Sequence, residues 1–321
     1  MDPISHAALG AACAQALIHK YDKRNAWIIG ALGGMAPDLD ILIHSAANPM
    51  LFLLYHRNFT HALSFIPFGG LLVALALLPF KRFRKNWWLT LLAAMIGYAT
   101  HGLLDACTSY GTMLLWPFSN RRIAWDMIAI VDPFFTFPLV LGLTWTLVFD
   151  NRKGVLLGLL LAGLLLQFNN WQRHRALVAM DNYAKKQGWN LNKIRAFPHM
   201  VSEARWRVIT YFDMNRQLFV ADTFTPLFKP STVYPISYFP VFHHNNLPAK
   251  LQHQGFQGND FNIFNWFTEG YLIAASQQPL VIVDARYLIG YRPLIALWGI
   301  QFTPGKLHVD AVSSIVLKGH E

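Results

Sequence analysis

The sequence predicts an α-helical membrane bundle followed by a mainly-β extramembrane domain. The bundle has about four spanning helices plus a short N-terminal helical hairpin over residues 1–172, and the second domain covers 173–321. Three observations carry this reading. The chain is 54% apolar and only 14% charged, against about 25% charged in soluble domains. The charge is also uneven: residues 1–168 hold 12 Lys/Arg, eight Asp and no Glu, whereas 169–321 hold 15 Lys/Arg, six Asp and all three Glu. From residue 206 the apolar pattern shortens into strand-like runs broken by Pro, Gly and Asn.

In order, residues 4–19 and 25–36 form the two short helices of the hairpin, joined by the basic turn Lys20-Tyr21-Asp22-Lys23-Arg24. Pro37 ends the second of them, because the residue before a proline is pushed out of helical geometry. Residues 41–55 are apolar but interrupted by Asn48-Pro49, which suits an interfacial segment. Segments 62–80, 87–107 and 154–172 are long and apolar enough to cross about 30 Å of hydrocarbon. Segment 127–149 is a fourth span if Asp132 is tolerated inside it. Residues 173–205 read as polar and partly helical, and the chain from 206 onward as a compact antiparallel β domain. Its expected strands are WRVITYF, QLFVADTF, YLIAAS, PLVIVDARYLI, IALWGIQF and VDAVSSIVL.

The net charge of +10 does not call for nucleic acid. The basic residues cluster at the ends of apolar runs (20–24, 81–85, 150–153), where they orient membrane helices. Placing those turns inside gives nine Lys/Arg on inner loops against Arg57, Arg121 and Arg122 on outer ones. The expected location is the bacterial inner (cell) membrane, multi-pass, with the C-terminal domain periplasmic. Met1-Asp2-Pro3 lacks the basic start of a cleaved leader. Cys13 and Cys107 lie in apolar segments without a CxxC, so no disulfide framework is expected.

Ionisable groups at membrane depth are costly and are functional candidates by default. The alternating helix directions place His6, Asp38, Asp40, His56, His61, His101 and Asp105 at one membrane face. His101 and Asp105 are i,i+4 on one helix, so they share a face and form a two-ligand unit with one nitrogen and one oxygen. The loop His56-Arg57-Asn58-Phe59-Thr60-His61 enters a helix, and Arg57 suits bidentate capture of a phosphate. Asp38-Leu39-Asp40 offers two carboxylates after a proline, one for a metal and one for water or a histidine. The blander readings are that a lone membrane histidine packs by hydrogen bonding, and that Asp126 and Asp132 cap helix ends. His19 and His44 take that packing reading, and His243, His244 and His253 read as solvated loop residues.

The stretches Ser5-His6-Ala7-Ala8-Leu9-Gly10, Ala36-Pro37-Asp38-Leu39-Asp40, His56-Arg57-Asn58-Phe59-Thr60-His61 and Tyr98-Ala99-Thr100-His101-Gly102-Leu103-Leu104-Asp105 together resemble the bacterial membrane-bound metal-dependent hydrolases of the YdjM/YbcI kind. So do Thr108-Ser109-Tyr110-Gly111 and Arg121-Arg122…Trp125-Asp126…Asp132-Pro133. The resemblance covers about residues 1–150. That family is in turn distantly similar to zinc-dependent phospholipase C and P1-type nucleases, whose helices carry an H-x3-D unit. The resemblance implies His101 and Asp105 as that unit, with His6, Asp38 or Asp40, and His56 or His61 as further ligands. Because residues 1–168 hold no Glu, an H-x3-E is missing, and one or two divalent ions are expected rather than three, with zinc first and manganese second.

The expected activity is metal-assisted hydrolysis of a phosphoester, such as a lipid headgroup, at the outer face, with Asp40, Arg57 and Asp126 as catalytic residues and membrane lipids as partners. A non-enzymatic protein that passes metal ions or protons, and an anchor with a structural metal site, are the alternatives. A transport path needs polar groups at several depths, and the inner ends show only basic turns and His19.

Overall fold

The computed structural model describes residues 1–212, 216–252 and 255–317; His253 lies outside the described residues. The chain divides into two compact units. The first comprises residues 1–42, 57–173 and 198–203, and the second 43–56, 174–197 and 204–321.

The first unit is helical. Helix α1 (Pro3–Asp22) starts at Asp2, whose carboxylate accepts from the Ser5 amide, with Pro3 at the first position where its missing N–H costs nothing. A tight turn leads into α2 (Ala26–Met35), which runs directly into a 3₁₀ segment over Ala36–Leu42. Helix α3 (Met50–Tyr55) belongs to the second unit. Back in the first unit follow a 3₁₀ turn at Phe59–His61, α4 (Ile66–Leu77), the single turn α5 (Lys81–Arg84), α6 (Trp87–Cys107) and α7 (Pro133–Phe149). Helix α8 (Lys153–Lys186) starts in the first unit and ends in the second.

Two of these helices, α6 and α8, are each long and apolar enough to cross a membrane; Met50–His61 with Leu63–Leu77 makes a third candidate if the broken pair counts as one span. Of the four spans expected, two or three are thus candidates by length and composition, and Pro133–Phe149 is a shorter apolar helix. The 62–80 segment contains only 12 residues of continuous α-helix, about 18 Å at 1.5 Å per residue, because its first residues form separate 3₁₀ turns around Ala62. The 127–149 segment is cut at Asp132, which accepts from the Phe134 and Phe135 amides as the N-cap of the 17-residue α7. Asp132 therefore starts the helix instead of being carried inside it.

Close helix packing comes from glycine. A Cβ on Gly97 of α6 would lie 2.2 Å from the Gly30 carbonyl oxygen of α2, so the two backbones touch at a distance no other residue permits. Ala8, Ala12 and Ala16 of α1 pack with Leu104 of α6, Phe135 and Leu139 of α7 and Val155 and Ala162 of α8. The three basic turns gather at one end of this unit. Lys23 pairs with Asp150, His19 lies 3.5 Å from the same carboxylate, and Arg82 donates to Asn25 and to the Arg24 carbonyl.

The second unit is mainly β, with two antiparallel sheets. Strands β1 (Ile194–His199), β2 (Ser202–Phe212), β3 (Gln217–Phe224) and β4 (Thr232–Pro240) form a meander in that order. Strands β5 (Leu272–Gln277), β6 (Leu280–Asp284), β7 (Leu288–Ile289), β8 (Leu294–Gln301) and β9 (Asp310–Leu317) form the other, ordered β5-β6-β8-β7 with β9 also on β8. The faces meet through Ile209, Tyr211, Leu218 and Val220 against Ile273, Val283, Ala296 and Leu317. The end of α8 covers the other face of the first sheet, Met180 and Ala184 packing on Trp206 and Phe219. Beyond the expected strands, the structure adds β1, the proline-bearing edge strand β4, the short helix α9 (Ala249–Gln252) and α10 (Phe256–Phe267).

Candidate metal centre

Four side chains from three stretches of the first unit converge. Asp38 comes from the 3₁₀ segment after α2, His61 from the 3₁₀ turn before α4, and His101 and Asp105 from successive turns of α6. His61, His101 and Asp105 are buried, and Asp38 keeps 23% of its side chain exposed. The approach of the 59–61 turn depends on Gly102, where a Cβ would lie 2.2 Å from the His61 carbonyl oxygen.

The ligand atoms lie close together. His61 Nε2 is 3.0 Å from His101 Nε2, 3.5 Å from Asp38 Oδ1 and 3.3 Å from Asp105 Oδ2. His101 Nε2 is 3.3 Å from Asp38 Oδ1 and 3.6 Å from Asp105 Oδ2. All four atoms fall within 4.8 Å of one another.

Hydrogen bonds outside the cluster fix both imidazole tautomers. His101 Nδ1 donates to the Gly34 carbonyl at 2.5 Å, and a carbonyl can only accept. His61 Nδ1 faces Asp40 Oδ2 at 3.3 Å, with Thr60 Oγ1 at 3.0 Å. Asp40 is itself anchored, accepting from the Arg57 amide at 3.0 Å and from Thr60 Oγ1 at 2.8 Å. With both protons on Nδ1, each imidazole turns a bare Nε2 toward two carboxylate oxygens. Four possible ligand atoms then face one another, an arrangement that calls for positive charge close by, from a proton, a cation or the Arg57 guanidinium 3.0 Å from Asp105 Oδ2.

The remaining sequence candidates take different places. His6 stacks on His101 with ring centroids 3.6 Å apart, and its Nε2 donates to Asp105 Oδ1 at 3.1 Å, so it supports the carboxylate from outside the group of four. Arg57 Nε lies 3.0 Å from Asp105 Oδ2, its Nη1 donates to Thr108 Oγ1 at 2.9 Å, and its guanidinium covers the Tyr110 ring. The Met1 amino group also contacts Asp105 Oδ1, at 2.5 Å. His56 ends α3, stacked on Phe52, in the second unit and outside the group of four. Asp126 is buried at a positive φ of 54°, with Arg173 at 3.7 Å; it too is outside the group of four. The sequence reading passes over Gly34. The Gly33-Gly34 pair ending α2 was the available signal, since a glycine there lets α2 reach α1 and puts its carbonyl within reach of His101.

Apolar helices and a buried His/Asp group that could hold a metal ion together define a helical membrane protein with a candidate metal centre. The chain belongs to the YdjM inner membrane protein family, whose model matches residues 1–176 and so includes every residue of that group. It is also similar to the uncharacterized protein YfhP of Bacillus subtilis (strain 168), 31% identical over 105 residues, which is 32% of this chain. That match spans 31% of the relative's own length. No solved structure matches the chain.

Proposed function

We propose that the protein is an integral inner-membrane metal-dependent hydrolase acting on a phosphoester, with Asp38, His61, His101 and Asp105 holding one divalent ion, zinc first and manganese second. The observation that carries the reading is the set of separations among the four ligand atoms. Zinc–ligand bonds of about 2.0–2.1 Å in a tetrahedron put neighbouring ligand atoms roughly 3.3–3.4 Å apart. The five separations given above run from 3.0 to 3.6 Å. Two nitrogens and two carboxylate oxygens are a zinc-type donor set.

When bound, such an ion activates water and polarises a phosphoryl oxygen. The chain's own residues supply the rest. Asp40 holds the His61 tautomer, and the Gly34 carbonyl holds that of His101. Arg57, fixed by Thr108 and Asp105, supplies the positive charge that a developing phosphoryl oxyanion needs. Asp38 is the solvent-accessible member of the four, which makes its side of the cluster the entry for water and substrate. We further propose that the basic turns lie on the cytoplasmic side and the centre near the opposite face, by the positive-inside rule.

A second reading, a structural metal site, draws on one observation: four protein ligands already complete a tetrahedron, whereas catalytic zinc keeps a position open. Metal analysis of the purified full chain, paired with a phosphomonoester and phosphodiester panel, separates the readings. Metal near one per chain, lost in His101→Ala together with hydrolysis, supports the hydrolase. Metal with no turnover on the panel supports the structural site. Wild-type protein grown with ample zinc and manganese that carries neither metal refutes both.

A further inference from the structure

The second unit contains a cavity of about 850 Å³, within the roughly 300–1,000 Å³ typical of small-molecule sites. Its walls are the β5–β6 turn (Gln277, Gln278, Pro279, Leu280), the β8–β9 loop (Phe302 and Pro304 to Leu307), Leu251 of α9 with its neighbours, and the start of α10. The floor is apolar and buried at Leu280 and Phe302, while the apolar side chains of Phe256 and Leu307 stand more than half exposed at the rim. Gln257 is buried, and its Nε2 donates to the Thr303 carbonyl at 3.0 Å and the Lys306 carbonyl at 2.9 Å, clamping the β8–β9 loop to the first turn of α10. Two of the cavity's walls are thus tied to each other.

Charge narrows the occupant. Among the described residues the lining contains Lys250 and Lys306 and no carboxylate. Lys306 shares its charge with Asp310 at 2.7 Å, which leaves Lys250 as the principal cation. The first turn of α10 also opens here, without an acidic residue or a side-chain cap, and contributes the positive end of the helix dipole. A long apolar floor under a cationic rim fits an amphiphile with one acyl chain and an anionic head.

We propose that this cavity binds one acyl chain of an anionic lipid or free fatty acid, the chain lying against Leu251, Leu280 and Phe302 and the acidic head reaching Lys250 and the start of α10. The site is separate from the metal centre and does not depend on the hydrolase reading.

The test uses the full chain in zwitterionic nanodiscs, with a photoreactive hexadecanoic acid and the matching uncharged hexadecanol as probes. Peptide mapping after irradiation is expected to place the acid on residues 248–252, 255–258, 277–280 and 302–307, at least about threefold above the rest of the second unit. Lys250→Glu with Lys306→Glu is expected to lower labelling by the acid about threefold, the scale of solvent-exposed charge pairs, and to leave labelling by the alcohol unchanged. Leu307→Trp, at an exposed rim position, is expected to lower both. A photoreactive lyso-phosphatidylglycerol that labels the same peptides identifies a lipid headgroup as the source; labelling by the free acid alone identifies a fatty acid. Labelling spread evenly over the domain, or equal for acid and alcohol in all variants, overturns the proposal. So does displacement of the acid by an acidic apolar peptide but not by excess unlabelled fatty acid.

Discussion

Asp40→Asn isolates the role of the group behind His61 without disturbing the ligand shell. Asp40 is 3% exposed, and its Oδ2 takes hydrogen bonds from the Arg57 amide and from Thr60 Oγ1 while facing His61 Nδ1 at 3.3 Å. The amide has the same shape, and its carbonyl oxygen can occupy the Oδ2 position. What disappears is the negative charge that holds the His61 proton on Nδ1 and raises the basicity of Nε2. Removing such a support lowers metal affinity about 10- to 100-fold, or roughly 1.4–2.7 kcal/mol. The two hydrogen bonds also fall from charged to neutral strength, about 1 kcal/mol each, so the metal-free protein loses on the order of 2 kcal/mol. Zinc–chelator competition on the full chain reads the first effect, and thermal unfolding with chelator in excess reads the second. Because ligand stabilisation grows with the logarithm of concentration over Kd, the shift in Tm on adding zinc is expected to shrink as well. Wild-type zinc affinity in Asp40→Asn, alongside weakened binding in His101→Ala, would refute the tautomer argument while leaving the ligand set intact.

Other outcomes follow from the same geometry. Asp105→Ala is expected to abolish zinc binding and destabilise the metal-free chain, because it strips Arg57 and His6 of a buried carboxylate; uncompensated buried charge costs about 3–5 kcal/mol, readable by chemical denaturation. Gly97→Ala forces a Cβ to 2.2 Å from the Gly30 oxygen; overpacking of this kind costs about 1–3 kcal/mol and is expected to lower Tm and weaken zinc binding together. Glu203, whose carboxyl is pushed up to about 7 by burial and by the neighbouring Asp132, binds its proton more tightly folded than unfolded. Stability is therefore expected to fall as pH rises from the ordinary carboxyl range to about 7 and to level off above it, and Glu203→Gln should flatten that profile. Asp150→Asn, at a pair more than half exposed, should leave Tm essentially unchanged; a clear fall in thermal unfolding would mean that the basic end is held more rigidly than its exposure implies.

The helical first half and the β second half were legible because long, nearly uncharged apolar runs give way to short alternating ones, and the six expected strands correspond to β2, β3, β5, β6 with β7, β8 and β9. Span length was less legible. Hydropathy over 62–80 and 127–149 is continuous, but it does not register the break at Ala62 or the preference of Asp132 for a helix cap over a helix interior. Strands β1 and β4 were missed for opposite reasons: the first follows directly on a polar helical stretch, and the second carries Pro235 and Pro240. At the site, the i,i+4 pair of α6 could be read from spacing alone. That His61 and Asp38 would reach that pair, while His6 stacks behind it and Asp126 turns to Arg173, depends on which residues let the backbones meet. A linear pattern of histidines and aspartates does not encode those distances; the glycines at 97 and 102 do.

Gly34 belongs to two systems at once. A Cβ there would lie 2.5 Å from the His6 carbonyl oxygen of α1, and its own carbonyl receives the His101 proton. The distance between the first two helices and the aim of an imidazole are thus a single mechanical variable. Anything that pries the N-terminal hairpin away from α6, including a change in bilayer thickness, should loosen the grip on the ion before it unfolds the protein, making cation affinity a sensitive strain gauge for the packing of the whole bundle.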